Sequence, residues 1–337
     1  MPHRVSADNL SDLVRGVLAG KNRAIARAIT LVESASPLRD ELLEQLRECA
    51  EPASHRADGG SRVIGITGPP GAGKSTLIGE LVAVARMAGE KVAVLAVDPS
   101  SPFSGGALLG DRLRMDRHGL DPGVYIRSMA SRGRTGGLSP SALETVSVLT
   151  AAGFGTIIVE SVGVGQSEVG ILTLADLVLV VLNPGAGDEI QALKAGVMEI
   201  GDIYVVNKAD YPEAESMVRT LHAAVRESIH AVIEPRVLRT IATAGTGVEA
   251  LHREIGERLE ALNERGELES RRRRRITTAL QEIAGDLFSE WVRAWIERHG
   301  LTDPQGGVPF GKLRRELAAA LETITVREGC MDEEDAK

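Results

Sequence analysis

Arg62-Val63-Ile64-Gly65-Ile66-Thr67-Gly68-Pro69-Pro70-Gly71-Ala72-Gly73-Lys74-Ser75-Thr76 reads as a strand, a loop and the first residue of a helix. The loop from Gly68 to Ser75 fits G-x-x-x-x-G-K-[ST], in the strand–loop–helix context that a phosphate-binding loop requires. Its glycines let successive backbone N–H groups turn inward around phosphate oxygens with no Cβ in the way. Lys74 can reach the β- and γ-phosphates and the Ser75 hydroxyl can ligate Mg²⁺. The helix N-terminus adds its partial positive charge. The candidate nucleotide-binding residues here are therefore Gly68, Pro69, Pro70, Gly71, Ala72, Gly73, Lys74, Ser75 and Thr76, with Lys74 the first catalytic candidate.

Outward from this loop, short aliphatic runs at 62–67, 91–97, 156–160, 177–182 and 202–206 alternate with helix-length segments. Continuous Val/Ile/Leu runs separated by helices imply a parallel sheet covered on both faces. Upstream, residues 8–50 read as helices, with Ala24, Ile25, Ala28, Ile29 and Val32 on one apolar stripe. Residues 51–61 (EPASHRADGGS) read as a linker. After Gly247 the strands stop, and helices are expected at 248–270, 273–299 and 309–324. The expected fold class is α/β, a P-loop NTPase with a mostly parallel central sheet flanked by helices. Its expected domains are an N-terminal helical extension (1–60), the nucleotide domain (61–248) and a C-terminal helical region (249–337). The basic run at 271–275 reads as a solvated helix face, with an acidic partner surface or ligand phosphates as alternatives.

Composition narrows the function. Of 337 residues, Lys and Arg number 39 against 47 Asp and Glu, a formal charge of -8, which argues against a general nucleic-acid binder. Aromatics at 3% leave few stacking platforms for single strands. The two cysteines, Cys49 and Cys330, lie far apart, which excludes a disulfide scaffold and a thiolate zinc site and fits a reducing cytoplasm. The N-terminus shows no signal-peptide pattern. The longest aliphatic run, Leu177–Leu182, falls well short of the about 20 residues that span a bilayer. A cytoplasmic protein without membrane contact is expected.

Asn207-Lys208-Ala209-Asp210 follows a strand and fits N-K-x-D. The Asp210 carboxylate can accept from N1–H and the 2-amino group of guanine. Adenine offers an acceptor at N1 and no 2-amino group, which would leave the carboxylate unpaired. Asn207 can tether the loops around the base and the Lys208 stem can cover the ring, so GTP is expected over ATP. Ile241, Ala242 and Thr243 follow the next apolar segment and are candidates for the contact to the guanine carbonyl, although the loop departs from the usual Ser-Ala-Lys. Three acids stand where a metal needs them: Asp98 ends a strand, Asp111 sits in a glycine-bracketed loop and Glu160 ends TIIVE. Mg²⁺ keeps several waters and few direct carboxylates. A helix-capping role stays open for Asp111. In Glu160-Ser161-Val162-Gly163 the acid would face Mg²⁺ through water and the Gly163 N–H the γ-phosphate, as in the D-x-x-G of GTPases. Val164 stands where small GTPases place the glutamine that orients water, and the nearest glutamine is Gln166, so slow intrinsic hydrolysis is expected. The loop at 184–189 reads either as an extra switch or as a plain strand–helix connection.

Taken together, AGKNRAIARAITLVES, GITGPPGAGKST, VAVLAVDPSS, GGALLGDRLRM, VESVGVGQSE, NPGAGDEIQALKAG and VVNKAD resemble the MeaB/ArgK family. These are P-loop GTPases that serve adenosylcobalamin-dependent acyl-CoA mutases as chaperones, methylmalonyl-CoA mutase above all. The resemblance is specific from Ala19 to Asp210 and looser in the C-terminal helices. It implies a homodimer built partly by a C-terminal arm, a third switch at 184–196, and Asp98, Asp111 and Glu160 as the magnesium-side acids. It also implies GTP-gated cofactor loading and protection of the mutase. Such proteins have carried the label of an amino-acid transport kinase, but nothing here resembles a substrate-kinase pocket. A cobalamin-ligating D-x-H-x-x-G is incomplete, since Asp116-Arg117-His118 meets Asp121 where the glycine belongs; cobalamin is expected on the partner. Two rivals remain. One is a metal-insertion GTPase of the urease or hydrogenase type, against which stand seven scattered histidines and no cysteine pair. The other is an ATP-dependent small-molecule kinase, disfavoured by Asp210.

Overall fold

In the strand Leu177–Leu182 the side chains alternate between two cores: Leu177, Leu179 and Val181 pack into one, and Val178, Val180 and Leu182 into the other. A strand apolar on both faces needs cover on both, which is the condition for a doubly wound sheet. The computed structural model describes residues 9–34, 36–49, 61–98, 118–130, 140–161, 174–184, 201–227 and 233–298, together with 311, 314 and 315; for 98, 130, 140 and 286 it describes the backbone alone. The chain divides into two compact units, Met1–Leu280 and Gln281–Lys337.

The first unit contains a seven-stranded sheet. Its strands are β1 (Arg62–Thr67), β2 (Val92–Asp98), β3 (Val124–Ala130), β4 (Thr156–Ser161), β5 (Leu177–Leu182), β6 (Ile203–Val206) and β7 (Arg236–Arg239). Their order is β3-β2-β4-β1-β5-β6-β7, and every described pairing is parallel. The helices are α1 (Leu10–Leu18), α2 (Asn22–Glu33), α3 (Arg39–Cys49), α4 (Lys74–Met87), α5 (Pro140–Ala151), α6 (Ala214–Glu227), α7 (Val248–Glu264) and α8 (Glu267–Arg298). One core joins α1, α2, α3, α5 and α6 to one sheet face, and the other joins α4 and α7 to the opposite face. β1 sits in the middle, with β4 on one side and β5 on the other. The loop leaving β1 therefore opens into a crevice at the C-terminal edge, where open α/β sheets bind ligands.

The apolar stripe of α2 behaves as its period requires: Ile25, Ala28, Ile29 and Val32 are all buried. α1, α2 and α3 pack against α5, and Arg127 of β3 pairs with Glu33 of α2. Three elements differ from the expectation. β7 (Arg236–Arg239), at one sheet edge, falls outside the five expected runs. β3 (VYIRSMA) was not expected, because Arg127 and Ser128 interrupt its aliphatic run at the sheet edge. The break between the last two helices falls at Arg265 and Gly266, with φ 70° at the glycine, and not near residue 271. Of the helix expected at 309–324, only positions 311, 314 and 315 are described, all helical. Within the second unit, Phe288 and Trp291 stack with ring centroids 5.8 Å apart.

Candidate functional site

β1 delivers the chain into the phosphate loop at Gly68, where the backbone passes so close to β5 that a Cβ would lie 2.0 Å from the Val181 carbonyl oxygen. Gly73 is similarly confined, since a Cβ there would meet Asn207 Nδ2 at 2.4 Å. α4 begins at Lys74, so the amides of its first turn have no partner within the helix and point into the loop. Lys74 is buried, and its ammonium donates to the carbonyl oxygens of Gly68 (2.7 Å) and Pro69 (3.1 Å). Carbonyl dipoles hold the cation where phosphate oxygens can displace them. Ala72 is buried, Pro70 and Gly71 are exposed at the loop's tip, and Thr76 is half-buried on α4.

Ser75, one residue on, donates from Oγ to Glu160 Oε1 at 2.9 Å, and both side chains are buried. Register explains the meeting: Glu160 of β4 lies opposite Ile66 of β1, so the acid emerges beside the loop. The neighbouring Ser161 Oγ donates to Thr67 Oγ1 at 2.9 Å, tying the same strand ends together. A hydroxyl and a carboxylate, hard oxygen donors held side by side, fit Mg²⁺ in both ligand type and number. Asp98 closes β2 opposite Ala130, and its side chain is not described. Asp111, Gly163, Val164, Gln166 and the segment 185–196 lie outside the described residues.

The N-K-x-D motif joins this loop through one side chain. Asn207 is buried; its Nδ2 donates to the Ala72 carbonyl at 2.9 Å, while its Oδ1 accepts from Thr240 Oγ1 (3.0 Å) and from the Ala242 amide (3.1 Å). The backbone is fixed as well, by Asn207 N to Leu182 O at 2.8 Å and Ala209 N to Thr240 O at 3.0 Å. Between them Lys208 takes φ 55°, the one positive φ outside glycine among the described residues. That conformation is uncommon for a side-chain-bearing residue, and strain of this kind clusters at ligand sites. Asp210 is exposed, as a carboxylate that meets an incoming base should be. The 241–243 loop forms a one-turn 3-10 helix, Ala242–Ala244, closed by Ile241 N to Thr246 O at 3.0 Å. Ala242 is buried beneath Asn207 and Thr243 is exposed. The structure thus brings together Gly68 to Thr76, Glu160, Asn207 to Asp210 and Ile241 to Thr243. Thr240 was missed by sequence reasoning. A lone threonine closing a short strand before the base loop was the available signal.

This geometry can hold a triphosphate on backbone amides and one lysine, a cation on Ser75 with Glu160 nearby, and a base against Asp210. Known proteins agree with it. A sequence profile described as "Methylmalonyl Co-A mutase-associated GTPase MeaB" matches residues 25–296. A putative GTPase of Pyrococcus abyssi is 43% identical over 293 residues, covering 86% of this chain and 88% of the relative. The GTPase ArgK of Escherichia coli is 32% identical over 328 residues, covering 96% and 94%. A crystal structure described as an LAO/AO transport system kinase aligns over 96% of this chain and 94% of its own, with TM-score 0.65 and 26% identity. The chain belongs to the MeaB family of methylmalonyl-CoA mutase-associated P-loop GTPases.

Proposed function

We propose that this GTPase uses its GTP/GDP cycle to gate adenosylcobalamin loading into an acyl-CoA mutase of the methylmalonyl-CoA type, and to protect or reactivate that enzyme. The observation that carries the nucleotide half of this reading is the Asn207 side chain. It holds the phosphate loop and the base loop as one unit across 135 residues of sequence. The family's association with methylmalonyl-CoA mutase supports the partner.

In this reading the amides from Gly71 to Ser75 and the Lys74 ammonium orient the β- and γ-phosphates. Bound Mg²⁺ would neutralise charge on the leaving oxygens. Ser75 would hold it, with Glu160, Asp98 and Asp111 on the magnesium side. The Gly163 amide meets the γ-phosphate, Lys208 covers the ring, Asp210 reads N1–H and the 2-amino group, and the 241–243 loop meets the base carbonyl. With Val164 in the water-orienting position, intrinsic turnover is slow and the partner completes the site. The segment 184–196 reports nucleotide state to the mutase. Cobalamin stays on the mutase.

The domains follow the same reading: a helical extension (1–60), the GTPase domain (61–248) and a helical dimerisation region (249–337). Within the second unit, exposed Leu287 and Phe288 of α8 supply apolar surface for a homodimer. No described helix is long and apolar enough to cross a membrane. The protein acts in the cytoplasm, away from nucleic acid and lipid. Two measurements test this. Asp210→Asn should lower the preference for GTP over ATP by about tenfold or more, since a site built to pair a donor rejects a base lacking it. The purified mutase should bind this chain and raise its GTP turnover; turnover unchanged by saturating mutase would sink the chaperone reading.

A further inference from the structure

The basic run 271–275 is divided by its helix. Arg273 and Arg274 are exposed; Arg273 pairs with exposed Glu269, and Arg274 reaches half-buried Glu267, which Arg271 also meets. Arg271, Arg272 and Arg275 occupy an arc of about 100° on α8, with Arg275 one turn beyond Arg271 and Arg272 at the arc's far edge. Arg271 grips the Asp202 carboxylate with both terminal nitrogens, at 2.8 Å each. Arg272 grips Asp176 through Nε and Nη2, at 3.1 Å each, and Arg275 donates to the same carboxylate. Asp176 is fully buried and Arg275 nearly so, while Arg271 and Arg272 are half-buried, so these are ion pairs packed against the sheet and not the solvated face expected from composition.

The two aspartates do more than neutralise arginines. Each stands one residue before a strand and completes the hydrogen-bond ladder at its start. Asp176 Oδ2 accepts the Val63 amide of β1 at 2.9 Å, and Asp202 Oδ2 accepts the Val178 amide of β5 at 2.8 Å. The backbone closes the same corners, with Asp176 N to Val63 O at 2.7 Å, Asp202 N to Val178 O at 2.9 Å and Arg236 N to Asp202 O at 3.2 Å. β1, β5 and β6 are thus fixed to one another and to α8 at their N-terminal ends. The C-terminal ends of the same strands lead into the phosphate loop, the 184–196 segment and the N-K-x-D motif. A strand is stiff, and its neighbours share its register, so a shift at one end has to be met at the other.

We infer that Arg271, Arg272 and Arg275 clasp the starts of β1, β5 and β6 so that α8 responds to the nucleotide held at their far ends. The inference rests on the nucleotide site proposed above. By reciprocity, whatever nucleotide state does to the clasp, the clasp does to the relative affinity for GTP and GDP.

The chain carries its own reporter: its two tryptophans, Trp291 and Trp295, both lie on α8. The experiment follows tryptophan emission of the full chain while GDP or a non-hydrolysable GTP analogue is added, with binding measured separately by a fluorescently labelled nucleotide. The wild type should give different emission in the two nucleotide states. The pair Arg272→Ala with Arg275→Ala should lose most of that difference while labelled nucleotide still binds. It should also change the ratio of the affinities for the GTP analogue and GDP about fivefold or more, since coupling of this kind starts near that factor. Asp202→Asn keeps an oxygen for the Val178 amide but removes the charge that Arg271 grips. It gives a milder variant, expected to lose part of the response, should the double variant fail to fold. A wild type that binds nucleotide with no tryptophan response overturns the clasp alone. So does a folded clasp variant with a full response. A wild type that binds no guanine nucleotide overturns the site, and the clasp with it.

Discussion

At the C-terminal edge of the sheet Lys74 donates to two neutral carbonyls, whereas at the N-terminal edge Arg271, Arg272 and Arg275 donate to the carboxylates of Asp176 and Asp202. Lys74 and Arg275 are largely withdrawn from water and Arg271 and Arg272 are half-buried, yet the partners of the two groups differ by a full charge. A carbonyl oxygen offers a partial charge that a phosphate oxygen easily outbids. A buried carboxylate matched by two guanidinium groups is locked, because separating them leaves unpaired charge in the interior. One set of strands therefore runs from a fixed end to an exchangeable end. The Ala242 amide belongs to the exchangeable end too, since its acceptor is a neutral side-chain oxygen, Asn207 Oδ1.

Two substitutions should break this contrast in opposite directions. Asp176→Ala removes the acceptor of Arg272, Arg275 and the Val63 amide at once, and should cost about 3–5 kcal/mol of unfolding free energy. Urea denaturation measures it, and a loss below about 1 kcal/mol would mean that the clasp holds little. Lys74→Ala frees the carbonyls of Gly68 and Pro69, two buried residues beside the exposed loop tip, but leaves no unpaired charge behind. It should leave unfolding within about 1 kcal/mol of wild type while GTP hydrolysis falls about 10²–10³-fold. Unchanged turnover would remove Lys74 from the site, and destabilisation equal to that of Asp176→Ala would erase the distinction between the two ends.

The exchangeable end was the legible one. Phosphate chemistry fixes the spacing from Gly68 to Ser75 and the identity of Asn207 and Asp210, so local sequence carried them. Glu160 was readable because it closes an aliphatic run. The fixed end was harder. Five consecutive basic residues resemble a solvated face in composition, and only the helical period separates Arg271, Arg272 and Arg275 from Arg273 and Arg274. Their partners carried a signal that went unused: Asp176 and Asp202 each immediately precede an aliphatic run. Thr240 escaped because its role depends on the tertiary position of Asn207. β3 escaped because an edge strand tolerates the polar residues that Arg127 and Ser128 supply. Asp98, Asp111 and Gly163 were named from sequence, but Asp111, Gly163 and the Asp98 side chain fall outside the described residues.

The smallest expected effect tests whether an acid near the fixed end works by charge or by shape. Glu90, between α4 and β2, joins three elements: its carboxylate accepts from Arg62 of β1 and from Thr156 Oγ1 of β4 at 2.7 Å, and meets His252 Nε2 of α7 at 3.1 Å. Burial alone would push its pKa up, but the bonds from His252, Arg62 and Thr156 together outweigh burial and bring it from 4.5 down to about 2. A folded-state value below the unfolded one stabilises the protein at pH above 4.5. That contribution drains away as pH falls from about 4.5 towards 2. The side chain is 22% exposed, so solvent screening trims the gain to roughly 1–2 kcal/mol. Glu90→Gln keeps the shape and removes the charge. Its deficit against wild type in urea unfolding should be full at neutral pH and shrink steadily below about pH 4.5. A deficit that stays constant as the medium is acidified would assign the stabilisation to packing, and Glu90 would then join α7 to the sheet without help from its charge.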